Sequence, residues 1–164
     1  MSVDGEPAGS LPARAATSWL SDSRVLYDDL SVREHLEYVA RLLGVEGWEE
    51  RAEDLVDRLG LGARADQLPS RFSRGLRQKA ALAVGLVRPF RLLLVDEPFV
   101  GLDGPGRAGL IELLEEAAGG GAAVVVSTHQ LQLADHATRC LALRDGEQVY
   151  DGAPSRDVIA KLVS

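Results

Sequence analysis

Cysteine occurs once in this chain, at Cys140. Neither an intrachain disulfide nor a cysteine-based zinc cluster is therefore open to it, and nothing argues for an oxidising compartment. Long apolar runs are missing as well. The stretch from Ala80 to Val87 falls far short of the ~18 residues that span a bilayer. The N-terminus is acidic and has no apolar h-region, so it does not read as a signal peptide. Basic residues are in deficit, 18 against 25 acidic for a net charge of −7. That balance disfavours nucleic acid as the main partner, because such binding needs a basic surface, although a local patch stays open. What the chain does have is apolar material: 46% of its residues are hydrophobic and 26% charged, enough for a core and too much for a fully disordered chain. Its 164 residues match about one domain of ~150 residues. These bounds describe a soluble, cytosolic, single-domain chain.

The pattern changes along the chain. Residues 1–17 contain Gly, Pro, Ser and Ala without an apolar period and read as a disordered tail. Trp19-Leu20 opens an ordered region, followed by a polar turn, Ser21-Asp22-Ser23. Val32, Leu36, Val39 and Leu43 follow a helical spacing, with Ser31 as N-cap, Glu34 in the capping-box position and Gly44 as the stop. Trp48, Ala52, Leu55, Val56 and Leu59 form a second helical stripe closed by Gly60. A third helix runs from about Gly75 to Val87; it starts near Ser73 and must end before Pro89. Beyond Phe90 short continuous apolar runs appear: Leu92 to Val95 and Ala122 to Val126, separated by a helical stretch from Pro105 to Ala118. Strand, helix, strand with such runs predicts a buried parallel sheet. Cys140 to Leu143 is a further strand, Asp145-Gly146 a hairpin turn, Gln148 to Tyr150 the return strand, and Ser155 to Leu162 a closing helix.

Chemistry concentrates at the strand ends, where open parallel sheets bind ligands. Leu92 to Val95 delivers Asp96 and Glu97 to the sheet rim, and alternation points the two carboxylates in different directions. Asp96 can hold Mg²⁺ through water and Glu97 can polarise a water for attack on phosphate; an acidic turn closed by Pro98 is the plainer alternative. His129 follows the second strand, in Ser127-Thr128-His129, where it can donate to a phosphate oxygen beside Asp96 and Glu97. His35 and His136 lie in helical stretches with no partner signal and read as structural. The segment Arg71 to Lys79 places Ser73 and the amides around Gly75 at a helix N-terminus, an anion-binding arrangement; an ordinary capped helix with a basic first turn explains it equally.

In combination and in order, "FSRGLRQK", "LLLVDEPFVGLD" and "VVVSTH" resemble the signature motif, the Walker B motif with its D-loop, and the H-loop of the nucleotide-binding subunit of ABC transporters. "WLSDSRVLYDDLSVREHL" looks like the stretch after the Q-loop in that family. The resemblance covers about residues 18–164, and the "SRG.RQK" form is most like the bacterial exporter branch. It implies an α/β fold, a partial P-loop NTPase-type parallel sheet at about 90–164 with an inserted α-helical signature subdomain at about 28–88. It implies Asp96 on Mg²⁺, Glu97 as catalytic base and His129 on the γ-phosphate. It implies nucleotide-binding roles for Ser73, Gly75 and Gln78, with Ser73 and Gly75 reaching ATP on the opposite subunit, and an Asp103 that crosses the dimer interface. The implied partners are a second ABC ATPase domain and a transmembrane permease, driven through the segment near Leu26-Tyr27-Asp28, with no nucleic acid. The implied location is the cytoplasmic face of the membrane.

The sequence departs from the family in three places. Arg74 stands where the commoner signature has Gly. Asp22 occupies the Q-loop glutamine position, shorter and charged, which weakens its expected Mg²⁺ contact. No GxxxxGK[ST] occurs anywhere, so no loop of amides with a lysine cradles the β- and γ-phosphates. The expectation is an ABC domain without its N-terminal third, with the missing strand, loop and helix encoded upstream. The alternative is a non-catalytic module that completes a partner's ATP site through its signature face.

Overall fold

The computed structural model describes residues 1–22 and 25–163; Ser23 of the expected polar turn lies outside the described residues. Two compact units are present, Met1–Ser127 and Thr128–Ser164.

The first unit begins where a tail was expected, and that expectation is corrected. β1 (Ser2–Val3) and β2 (Glu6–Pro7) pair antiparallel around Asp4 and Gly5, both at positive φ (51° and 84°), as a type I′ hairpin requires. α1 (Leu11–Ala15) follows, its N-terminus capped by Ser10, whose side chain accepts from the Ala13 amide at 3.2 Å. Ala13 is buried, the Thr17 hydroxyl donates to its carbonyl at 2.7 Å, and the Arg88 guanidinium donates to the carbonyl of Ala15. Turn chemistry and a buried alanine thus order a stretch whose lack of apolar period suggested disorder.

β3 (Thr17–Leu20), β4 (Leu92–Asp96) and β5 (Ala123–Ser127) form a parallel sheet in that order. The register pairs Leu20 with Val95, Val95 with Val126 and Asp96 with Ser127, so the carboxyl ends of all three strands reach one rim. β4 lies in the middle with Leu93 and Val95 buried. β5 differs from the buried strand expected from its continuous valines: among the described residues it pairs with β4 alone, and Val125 is 54% exposed.

Between β3 and β4 the chain builds the expected helices, α2 (Val32–Leu42), α3 (Trp48–Arg58) and α4 (Arg74–Leu86). The Ser31–Glu34 capping box is present: the Ser31 side chain accepts from the Glu34 amide at 3.3 Å, and the Glu34 carboxylate accepts from the Ser31 amide at 2.7 Å. Val32, Leu36, Ala40, Leu55, Val56, Leu59, Leu82 and Leu86 form the core of this layer. His35 is a buried structural histidine, with Nε2 accepting from the Tyr27 amide at 2.8 Å and Nδ1 2.7 Å from the Ser31 carbonyl. α5 (Gly104–Gly119) connects β4 to β5. It presses on the end of α3 so closely that a Cβ at Gly109 would stand 2.2 Å from the Arg58 carbonyl oxygen. Arg58 also pairs with Glu116 at 2.5 Å, which holds the Glu116 carboxyl below its usual range.

The second unit contains β6 (Cys140–Arg144), β7 (Glu147–Gly152) and α6 (Arg156–Val163). Asp145 and Gly146 make the expected turn, both at positive φ (51° and 82°). Ala142 and Ile159 are its buried residues along β6 and α6, and Arg139 grips Asp151 through two hydrogen bonds of 2.7 and 2.6 Å.

Two stability outcomes follow from this packing. Gly109→Ala forces α5 off α3 and costs about 1–3 kcal/mol in urea unfolding. Gly104→Ala, with nothing within 4 Å of the new Cβ, changes stability by no more than about 0.5 kcal/mol. An edge strand with an exposed valine is a template for self-association. Val125→Lys therefore raises the monomeric fraction of the purified chain in size-exclusion chromatography with light scattering; a wild-type chain that is already fully monomeric would refute this reading of β5.

Candidate functional site

The sheet rim carries the acidic residues. Asp96 ends β4 and is exposed, and the Ser127 hydroxyl of β5 donates to its carboxylate. Glu97 follows with φ at +43°, a left-handed conformation that costs an ordinary residue of order 1–3 kcal/mol. Its amide donates to the Ser127 carbonyl at 2.9 Å. Thus β5 holds both Asp96 and Glu97 at the rim. Asp22 is exposed, two residues past the end of β3 on the same side of the sheet.

From Glu97 the chain turns through Pro98, Phe99, Val100, Gly101 and Leu102 to Asp103. Phe99 and Leu102 are buried and anchor this loop from below. Asp103 caps α5, accepting from the Gly106 amide at 3.1 Å, and lies 2.8 Å from the Lys79 ammonium. Lys79 and the Gly106 amide hold its carboxyl below the ordinary range. The residue expected to cross a dimer interface is engaged within its own chain.

Ser73 caps α4, its hydroxyl accepting from the Leu76 amide at 3.3 Å, and is exposed at the helix N-terminus as expected. The close approach that Gly75 permits is to protein: a Cβ there would lie 2.4 Å from the Gly101 carbonyl oxygen. Gln78, expected among the nucleotide-binding residues, faces the acidic loop. It is 5% exposed, and its Nε2 donates to the Pro98 carbonyl at 2.8 Å. Its spacing from Gly75 turns it to the same helix face, against the acidic loop. His129 belongs to the second unit, two residues after Ser127 in the chain and ahead of the turn Leu131–His136.

The sequence reading missed Lys79 and Gly101 as parts of this arrangement. The run of glycines from Gly101 to Gly109 signals close backbone approach, but periodicity does not say to what. Among the described residues no group of three or more His, Cys, Asp or Glu is placed to hold a metal. An open groove of about 320 Å³ lies apart from the acidic loop, lined by Trp19, Leu20, Leu26, Val39, Leu43 and Val84 among others. Trp19 is 73% exposed there.

The profile of a family described as "AAA domain, putative AbiEii toxin, Type IV TA system" matches residues 10–135. The ABC-type transporter ATP-binding protein EcsA of Bacillus subtilis is 34% identical over 137 residues, 82% of this chain and 56% of that protein. The SkfA peptide export ATP-binding protein SkfE of the same organism is 32% identical over 152 residues, 91% of this chain and 64% of that one. A solved structure of the ATP-binding subunit of an ABC transporter superposes with a TM-score of 0.81 at 27% identity, covering 92% of this chain and 63% of its own. This chain belongs to the family of ABC-type ATP-binding domains.

The fold expectation, an α/β domain with a partial parallel sheet and inserted helices, is borne out by that likeness. The ABC domain described here spans just under two thirds of SkfE and of the solved subunit. It covers 19% of the macrolide export ATP-binding/permease protein MacB of Nitrosomonas europaea, to which it is 37% identical over 128 residues.

The Lys79–Asp103 pair gives this ABC domain a pH signature. A carboxyl lowered on folding stabilises above its unfolded value, about 3.9 for Asp, and that contribution is lost as pH falls through the lower folded value. Asp103→Asn keeps the cap on α5 and removes the charge. Asp103 itself is largely exposed, but the variant leaves the enclosed Lys79 ammonium without its carboxylate, so the loss near pH 7 exceeds the about 1 kcal/mol of a surface pair. In urea unfolding the gap between variant and wild type closes toward about pH 2; a gap independent of pH would mean that the pair contributes nothing electrostatic.

Proposed function

We propose that this chain is the ATP-handling part of an exporter-type ABC transporter and that it supplies the carboxylate side of the site. The observation that carries the reading is Asp96 and Glu97 at the rim of β4, both held by Ser127 of β5. Mg²⁺ takes one or two carboxylates together with substrate phosphates, and Asp96 suits that donor set, with Asp22 at the same rim as a second candidate. Bound there, the ion would neutralise charge developing on the phosphoryl oxygens. Glu97 accepts a proton from the attacking water. The N-terminus of α4, with the Ser73 hydroxyl and the Gly75 amide, presents donors to the γ-phosphate of ATP on a second ABC domain. His129 keeps its proposed role as a donor to the γ-phosphate, and Asp103, already engaged by Lys79 and the α5 cap, fixes the end of the acidic loop.

The residues do not fit a phosphate cradle, because no GxxxxGK[ST] occurs among the 164. A second reading is a module that completes a partner's site through the α4 face, where the Ser73 cap is exposed. The apolar groove beside Leu26 suits a segment of a membrane permease, which supports a location on the cytoplasmic face of the membrane. No described helix is long and apolar enough to cross a membrane. The relatives named as export proteins support the exporter assignment, and the net charge of −7 supports the absence of a nucleic-acid partner.

The decisive measurement is ATP turnover. The purified chain alone hydrolyses no ATP above background, since phosphoryl transfer depends on positioning the phosphates. Joined at its N-terminus to a strand, a GxxxxGK[ST] loop and a helix, it gains turnover. Glu97→Gln then lowers that turnover by about 10²–10⁴-fold while ATP binding persists. Turnover in the joined protein that survives Glu97→Gln would remove Glu97 from the role of base. Failure to gain turnover, with the joined protein folded and ATP bound, favours the module.

A further inference from the structure

We propose that Gln78 and Lys79 are positioning residues for Glu97: from one face of α4 they clasp the loop from Glu97 to Asp103 and hold Glu97 in its left-handed conformation. This deepens the reading of Glu97 as base and rests on it for its chemical meaning, but not for its test.

The argument starts from the backbone. A non-glycine residue at φ +43° persists only where its surroundings over-determine it, and Pro98 further narrows the conformations of the residue before it. The Glu97 amide is fixed by the Ser127 carbonyl at 2.9 Å. The opposite side of Glu97, the Pro98 peptide, needs its own anchor. That anchor is the Gln78 amide, donating to the Pro98 carbonyl at 2.8 Å from a side chain 5% exposed.

The remaining contacts come from the same helix face. Gly75, Gln78 and Lys79 stand at i, i+3 and i+4, neighbours on a helix surface. Gly75 meets Gly101, Gln78 meets Pro98 and Lys79 meets Asp103, so the loop is gripped at its start, its middle and its end. The Lys79 stem runs into a tight slot, where a Cβ at Gly106 would stand 2.6 Å from its Cε. Its side chain is 9% exposed. A lysine so enclosed is fixed by its carboxylate partner, because an unpaired buried charge is strongly unfavourable. From α5, Arg107 adds contacts to the Phe99 and Leu102 carbonyls at 3.5 and 3.4 Å, while Gln78 and Lys79 of α4 reach the loop at 2.8 Å each. Gln78 therefore acts by donating, not by filling space.

The test uses the chain without nucleotide, so the ATP reading and this one fail separately. Amide hydrogen exchange is followed by NMR in wild type, Gln78→Glu, Lys79→Met and Lys79→Arg. A glutamate at 78 matches glutamine in shape but cannot donate when ionised. Gln78→Glu is expected to lower the protection factors of the Glu97 and Val100 amides at least tenfold near neutral pH, while β4 at Leu93–Val95 keeps its own. In acid, the protonated carboxyl donates again and protection of the loop relative to β4 returns. A merely space-filling role gives no such rescue. Lys79→Met loosens the Asp103 end of the loop and Lys79→Arg restores it. Unchanged loop protection in Gln78→Glu, loss spread evenly over α4 and β4, or loss without acid rescue would each overturn the proposal. Should Gln78→Glu not fold near neutral pH, the Lys79→Met and Lys79→Arg pair decides: equal protection of the loop in the two overturns it.

Discussion

The spacing of the helices in the first unit depends on places where a glycine lets two backbones, or a backbone and a side chain, approach within a distance no Cβ allows. Gly75 meets the Gly101 carbonyl, Gly85 receives the Leu20 side chain, Gly106 receives Lys79, and Gly109 meets the Arg58 carbonyl. Each ties a helix to something distant in sequence: α4 to the acidic loop and to β3, α5 to α4 and to α3. Apolar burial supplies the drive that brings these elements together. It does not by itself decide how near they come, and nearness is what the site requires. Gln78 reaches Pro98, and Lys79 reaches Asp103, because Gly75 and Gly106 remove the side chains that would hold α4 and α5 apart. The Ser18 hydroxyl adds a bond of 2.7 Å to the Gly85 carbonyl at the β3 end of the same helix.

Much of this was legible in the sequence where a local rule has a residue signature. The Ser31–Glu34 capping box, the Ser73 cap, the stop at Gly44 and the Asp145-Gly146 turn all lie where their chemistry placed them. So did Asp96 and Glu97, because a short apolar run followed by carboxylates has one natural meaning in a parallel sheet. The reading failed where a signal was weighed by composition instead of chemistry. Asp4-Gly5 is the same dipeptide as Asp145-Gly146 and forms the same turn, yet the surrounding Gly, Pro and Ala suggested a tail. The continuous valines of β5 predicted a strand of a buried sheet; such a run reports apolar character and is silent on whether a strand has one neighbour or two. Gln78, expected among the nucleotide-binding residues from its place in the signature stretch, also meets the Pro98 carbonyl, a contact that its spacing from Gly75 allowed. Gly101 and Lys79 had no signature of their own, since their roles exist only between elements far apart in sequence.

Charge in the first unit is arranged to serve the same packing. Arg51 and Arg58 of α3 both reach Glu116 near the end of α5, at 3.3 and 2.5 Å, while Lys79 of α4 takes Asp103 at its start. α5 is therefore pinned at both ends by cations from the helices it crosses. The pairs differ in kind. Those to Glu116 are solvent-screened and contribute little singly. The Lys79 pair has one partner enclosed, and a buried ammonium without its carboxylate is far more costly than an exposed one. The weight of the electrostatics thus falls at the end of α5 that adjoins the acidic loop.

The carboxylate side of the site is preorganised by the protein alone. Asp96 is oriented by Ser127, Glu97 is held at an unusual φ between β5 and α4, and Asp103 is committed to a cap and an ion pair before any nucleotide is considered. Electrostatic catalysis gains most when the groups need not reorganise as charge develops. A loop whose strain is borne by buried contacts meets that condition more fully than one ordered by its ligand. The contacts described above to Glu97 and its loop come from β5, α4 and α5. The acidic rim of the proposed site therefore holds its geometry through contacts within the first unit.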